Sequence, residues 1–203
     1  MISINPNAVS ERAISKILKG TIIPRPIAFV TTISKEKVTN GAPFSYFNIV
    51  AAYPPLISLS VQREGGNIKD TAKNINDNGE FVIHIVDQDN VAKVNETAAH
   101  LPYNESELDL AKLTQVSSEI ISVPGVREAK VRMECKLVKA APLEKEGNVV
   151  CDLFIGEVVR FHLDEEIYDA NGRIIAENLN AVSRLAGADY AKIGEIFSVK
   201  RPK

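Results

Sequence analysis

RPIAFVTTISKEKVTNGAPFSYFN, residues 25–48, is the stretch on which the fold turns. Its first third, Pro26 to Ile33, is almost wholly apolar or β-branched, the composition of a strand covered on both faces. Pro24 and Pro26 cannot donate to a ladder and so mark where that strand starts. Ser34 to Gly41 is polar and ends in Asn40-Gly41, a strong turn signal. Ala42 to Phe47 then alternates and is predicted to return as a second strand with Ser45 in its middle. The small hydroxyls of Thr31, Thr32 and Ser45 suit either a flat polar ligand or ordinary barrel positions. This stretch alone leaves both readings open.

Working outward, 203 residues with 45% apolar content are enough for one domain with a substantial core. The formal net charge is −2 and the charges are interspersed, which argues against nucleic acid or an anionic membrane as partner. No apolar run approaches the roughly 18 residues of a membrane-spanning helix. The opening residues, MISINPNAVSER, lack the basic-then-apolar layout of a signal peptide, so the cytoplasm is expected. Cys135 and Cys151 form no CxxC pair and no cluster with metal-ligand spacing. Both are expected to be buried thiols.

Ala8 to Leu18 has helical spacing ended by Gly20, and is expected to pack across an end of the main sheet. Leu56 to Val61 reads as a strand with Ser58 and Ser60 on one face. The glycine-rich, charged residues 62–70 lead from it into a helix that closes near Asn78-Gly79. A helix beginning near Lys69 or Asp70 leaves its first amides unpaired, and with its positive end it makes a natural phosphate seat. Lys69, Thr71 and Arg63 would add donors. Equally, Asp70 would simply cap the helix. Neither GxxxxGK[ST] nor GxGxxG occurs.

Glu80 to Val86 is a compact strand whose His84 reads as a core residue. Residues 90–114 form a helical excursion suited to a lid or a partner surface. Val126 to Ala141 and Val149 to Leu163 pair as a long hairpin, and Gly156 inside it signals a bulge or a close backbone approach. Leu179 to Leu185 is expected to make helical turns, and Ile196 to Val199 a last edge strand. His162 reads as structural. The tally of about six to eight strands joined by hairpins favours a mainly β, antiparallel barrel over a doubly wound α/β sheet.

Taken in order, RPIAFVTTISKEKVTNGAPFSYFN, YPPLISLS, KDTAKNI, GEFVIHIV, NETAAHLPYNESE, VVCDLFIGEVV and SRLAG resemble the flavin reductase-like family of FMN-binding split-barrel proteins, closest to its flavoredoxin-type branch. The resemblance covers about residues 20–202. It implies an antiparallel split β-barrel of Greek-key type with peripheral helices, a homodimer, and non-covalent FMN near the subunit interface. It places Thr31 and Thr32 beside the flavin or its ribityl chain. Ser45, Tyr46, Phe47 and Asn48 would lie along the flavin, Ser60 and Val61 would continue that wall, and Lys69, Asp70 and Thr71 would hold the phosphate. Arg184 and Tyr190 would approach from the C-terminal segment, with Arg184 as the catalytic candidate for steadying flavin charge or holding nicotinamide. The family's usual proline before that arginine and RLGG after it are here Ala181-Val182-Ser183 and RLAG, which loosens the last assignment.

The implied activity is hydride transfer from NAD(P)H to bound FMN, and on to a flavin, a small molecule or an acceptor protein. The alternatives are a non-enzymatic FMN electron carrier reduced by a partner, and a barrel used only as a scaffold. Ile27–Ile33 and Phe81–Val86 want cover on more than one side, which supplies a motive for the dimer.

Overall fold

In the computed structural model of the chain, residues 1–202 are described. After a short helix α1 (Glu11–Thr21) come β1 (Arg25–Pro26), β2 (Ala28–Ile33), β3 (Thr39–Phe44), β4 (Phe47–Ala51) and β5 (Leu56–Gln62). Then α2 (Asp70–Asn78) leads to β6 (Glu80–Ile85), α3 (Val91–Glu96) and α4 (Glu107–Leu110). The small pair β7 (Gln115–Val116) and β8 (Gly125–Val126) precedes the long hairpin β9 (Val131–Lys145) and β10 (Asn148–Leu163). Helix α5 (Ala176–Leu179) and strands β11 (Val182–Arg184) and β12 (Tyr190–Lys192) complete the elements.

Seven strands make one antiparallel sheet in the order β3-β2-β6-β9-β10-β5-β4. Its two edges, β3 and β4, are joined by Ser45 and Tyr46 alone. A two-residue link cannot span an open sheet of this width, so the sheet must curl until its edges meet. The barrel is closed by a turn, reinforced where Ser60 N donates to Tyr46 O at 2.9 Å. That is the split barrel expected from the sequence.

Alternation sets the core. Ala28, Val30, Leu59, Val61, Phe81, Ile83, Cys135 and Phe154 point inward and are fully buried. Ile27, Phe29, Val86, Leu108, Val126 and Val182 form a second cluster on the other side of β2 and β6. Residues 91–129 of the same chain therefore supply the cover that these doubly buried strands demand. The motive for a dimer drawn from β2 and β6 lapses. Exposed apolar residues lie instead on and beside the edge strand β4, where Ile49 is 74% and Tyr53 97% accessible.

Several boundaries differ from expectation. The reversal between β2 and β3 falls at 35–38, with Lys37 left-handed at φ 66°, and Asn40-Gly41 lies inside β3. The pair is there for packing: a Cβ on Gly41 would collide with Leu108 and Phe29. Ser45 sits at the β3–β4 turn, not mid-strand. Residues 182–184 extend as β11 because they pair with β1 and β12, so helical turns occupy only 176–179. Residues 193–202 form no strand. Helix α1 buries none of its residues and is tied down through its C-terminal carbonyls.

Gly156 meets the prediction of a bulge and a close approach. The β9–β10 register shifts between Ile155 and Gly156, and a Cβ there would run into the Phe81 ring. Phe81 is fully buried and cannot swing away. Gly156→Ala is expected to destabilise the fold by about 1–3 kcal/mol, read from the urea midpoint at unchanged slope. Wild-type stability would mean that the ring can move.

The buried polar groups are mostly satisfied. His84 Nδ1 donates to Phe29 O and Nε2 accepts from Val126 N, both at 3.0 Å, a pairing that needs the neutral ring. Burial lowers its pKa to about 4 accordingly. Cys135 and Cys151 are free and buried, and burial pushes the Cys135 thiol up. Among the described residues no helix is long and apolar enough to cross a membrane, and no group of three metal-ligating side chains occurs.

Candidate functional site

Two clefts flank the β3–β4 turn. The first, of about 360 Å³, is bounded by Asn40 to Phe44 of β3, the loop 64–69, the start of α2, residues 97–101 and Glu107. Lys69 occupies the N-cap position of α2, and its side chain makes no capping bond. The first amides of a nine-residue helix are thus left for another acceptor at the edge of a concavity. Lys69 Nζ stands 3.2 Å from Glu64 Oε1 on the same rim. Burial raises the carboxyl of Asp70, with Lys73 opposing. Glu107 is also raised by burial, against the bonds it receives from Gly41 N at 3.1 Å and Asn40 Nδ2 at 2.9 Å.

The second cleft, of about 400 Å³, is lined by Ser45, Tyr46, Phe47, Asn48 and Ser58, faced by Leu18, Ile22, Pro24 and Arg25. Arg25 is buried and was assigned no role from the sequence. Its Nη1 donates to Lys19 O at 2.8 Å and Ile22 O at 2.6 Å, its Nη2 to Leu185 O at 2.7 Å, and its Nε to Ser45 Oγ at 3.5 Å. These carbonyls fix a cation behind Ser45 without neutralising it. Phe44 lines one cleft and Ser45 the other, so the β3–β4 turn stands between the two.

The residues named from the sequence divide accordingly. Lys69, Asp70 and Thr71 share the first cleft; Ser45, Tyr46, Phe47 and Asn48 share the second. Thr31 and Thr32 are fully buried: Thr31 Oγ1 donates to Pro124 O at 2.7 Å, and Thr32 bonds Asn40 and Asn74. Their side chains reach neither cleft. Val61 points into the barrel core, as strand alternation requires once Ser60 faces outward. Ser60 accepts from Gln62 Nε2, and its outward neighbour Ser58 lines the second cleft instead. Arg63 is spent on a two-pronged bond to Asp152 at 2.8 and 2.9 Å and is withdrawn as a phosphate ligand.

Arg184 and Tyr190 pair with each other on β11 and β12, the guanidinium 4.5 Å over the ring. Arg184 Nη2 donates to Gly187 O at 2.6 Å, and Tyr190 OH donates to Asn95 Oδ1 at 3.2 Å. Tyr190 lines a separate apolar groove against α3, and neither residue lines the two clefts. Asn40, Glu107 and Arg25 are what sequence reasoning missed. Asn40 was read as turn punctuation, and a lone Glu in a short helix carries no motif.

Comparison with known proteins identifies the family and agrees with the fold. Residues 20–176 match the flavin reductase like domain. The structure of nitrilotriacetate monooxygenase component B from Bacillus cereus is 60% identical, with a TM-score of 0.96 over 98% of each chain. The 2-nitrobenzoate 2-nitroreductase NbaA of Pseudomonas fluorescens is 27% identical, with a TM-score of 0.89 over 99% of this chain and 96% of that one. Flavoredoxin of Desulfovibrio vulgaris (Miyazaki F), at 23% identity and a TM-score of 0.75 over 87% of this chain and 91% of that one, shares the fold. The chain therefore belongs to the flavin reductase like domain family, whose chemistry is that of flavin-linked oxidoreductases.

Proposed function

We propose that this protein is an FMN-dependent NAD(P)H oxidoreductase of the cytoplasm that passes electrons to a flavin, a small molecule or an acceptor protein. The observation that carries the reading is the uncapped start of α2 beside Lys69, in a cleft walled by Phe44, with the aromatic stretch 45–48 lining a second cleft at the neighbouring turn. An anionic end and a flat ring are the two things such a pair of clefts suits. Lys69 and the first α2 amides would hold the phosphate, and Tyr46, Phe47 and Asn48 would lie along the ring. Arg25, anchored through its three carbonyls, would place fixed positive charge behind Ser45. When bound, FMN supplies the hydride-accepting ring, and the protein supplies position, dryness and charge. Hydride transfer itself demands no side-chain acid or base, so none need be sought.

A homodimer belongs to this reading. The edge strand β4 borders the second cleft and leaves Ile49, Val50 and Tyr53 open to solvent. A second copy laid on that edge would bury them and roof the cleft. Arg184 and Tyr190 would reach a flavin only across such an interface. A sedimentation mass equal to one chain at micromolar concentration would remove the dimer.

The likeness to a monooxygenase component favours a reductase that serves another protein. Visible absorbance of the purified protein, before and after anaerobic NADH and then NADPH, tests the proposal. Flavin bands bleached by either nucleotide are expected. Flavin bands that neither nucleotide bleaches would replace the enzyme with a carrier reduced by a partner. A colourless protein that takes up no added FMN would end the flavin reading.

A further inference from the structure

A line of buried polar side chains runs beneath the first cleft, and every bond in it points the same way. Tyr103 OH donates to Asn74 Oδ1 at 2.8 Å, and Asn74 Nδ2 to Thr32 Oγ1 at 3.0 Å. Thr32 Oγ1 donates to Asn40 Oδ1 at 3.3 Å, and Asn40 Nδ2 to Glu107 Oε2 at 2.9 Å. Thr71 Oγ1 joins at the hub, donating to the same Asn40 Oδ1 at 2.9 Å. Thr32, Asn74 and Thr71 are all at or below 2% exposure. The direction is set at Glu107. Its Oε2 already accepts from Gly41 N at 3.1 Å and, as an acceptor, takes the N–H end of the Asn40 amide, so the freed Asn40 oxygen collects both hydroxyl protons. Aligned dipoles in such a chain reinforce one another, and a half-satisfied chain would be costly.

What the line connects is also specific. It ties β2, β3, α2, the 97–106 loop and α4, and four of those five elements form walls of the first cleft. A relay needed only for the core would have no reason to end at three cleft-lining residues, Asn40, Thr71 and Glu107. We propose that this relay presets the cleft before ligand arrives, with Asn40 as hub and Thr32, Asn74 and Tyr103 as positioning residues that never touch the ligand. The inference rests on the flavin reading above. It has a chemical corollary: with its proton committed to Asn40, the Thr71 hydroxyl offers the cleft only lone pairs. It suits a ligand hydroxyl better than a phosphate oxygen, and the phosphate is left to main-chain amides and Lys69.

Thr32→Val tests the relay at its middle, since it conserves shape, lies outside both clefts and removes one hydroxyl. FMN and riboflavin are titrated into wild type, Thr32→Val, Thr32→Ser and Tyr103→Phe by quenching of flavin fluorescence, with thermal unfolding recorded for each. The expected result is FMN binding weakened roughly five- to twentyfold in Thr32→Val, the loss of about one buried hydrogen bond with its knock-on at the hub. Thr32→Ser should restore it to within about twofold, and Tyr103→Phe should shift affinity in the same direction. Restoration by serine is the readout that a mere packing role would not give. Should Thr32→Val fail to fold, Tyr103→Phe at the solvent end decides alone. Wild-type affinity for FMN in a folded Thr32→Val or Tyr103→Phe would overturn the relay and leave the flavin site standing. Absence of FMN uptake by the wild type would instead overturn the site on which the relay depends.

Discussion

Glu134→Ala is expected to destabilise the protein by about 3–5 kcal/mol, the scale for breaking a buried charged network from one side. Glu134 sits on β9 with no exposed surface. Its carboxylate accepts from Glu119 N and Ile120 N at 2.7 Å, from Ile121 N at 3.2 Å, and from His162 Nε2 at 2.6 Å. Truncation leaves three main-chain donors without their acceptor and His162 with only the Glu119 carboxylate, 4.0 Å from its Nδ1. Burial alone would raise this carboxyl, but those four donors outweigh it and hold its pKa below the ordinary value. The sign of the pH dependence follows. A depressed folded pKa contributes stability that is present above the unfolded value and lost as pH falls through the folded one. The stability gap between wild type and Glu134→Gln should be wide at pH 7 and close progressively below about pH 4. Urea unfolding across that range measures it, and a gap independent of pH would show that the ionised form is not what the donors hold.

Lys69→Ala should separate FMN from riboflavin. Riboflavin lacks the phosphate, so removing a phosphate-binding cation should weaken FMN about ten- to a hundredfold and leave riboflavin within about threefold. The Glu64 carboxylate near Lys69 makes the contrast sharper, because its repulsion of a phosphate is no longer offset once the ammonium is gone. Parallel titrations of the two flavins provide the ratio. Equal weakening would move the phosphate away from α2.

Legibility in the sequence followed periodicity. The apolar and β-branched run at 27–33 announced a doubly covered strand, and β2 is buried on both faces. Gly156 announced its bulge, because an isolated glycine in a strand has few other uses. Lys69 and Asp70 were placed correctly at a helix start. Failures came where one residue type serves two purposes. Asn40-Gly41 is turn chemistry locally, yet Leu108, 67 residues onward, demands the glycine and Glu107 engages the asparagine. The hydroxyls of Thr31 and Thr32 suited a ligand or a barrel position equally from the sequence, and the resemblance placed them at the flavin, while Thr31 gives its proton to Pro124, 93 residues onward, and Thr32 to its cross-strand neighbour Asn40. No local pattern encodes a partner as remote as Pro124. Residues 179–185 were expected to be helical, but 182–184 became the middle strand of the small sheet, paired with β1 through Arg25 and Arg184 and with β12 on the other side. Tertiary pairing overrode propensity there.

The two-residue turn that closes the barrel also makes its seam a thermodynamic fuse. Every other neighbouring pair of strands around the barrel is zipped by a ladder, so the first opening of the native state should begin at 44–47 and spread to β4, not to the β9–β10 hairpin. A ligand lying across both clefts would bridge that seam and bind only its closed form. At a hundredfold excess over its dissociation constant it would add about 2.7 kcal/mol to the cost of opening. Cofactor occupancy would then govern how long the protein survives a protease, quite apart from whether it turns over.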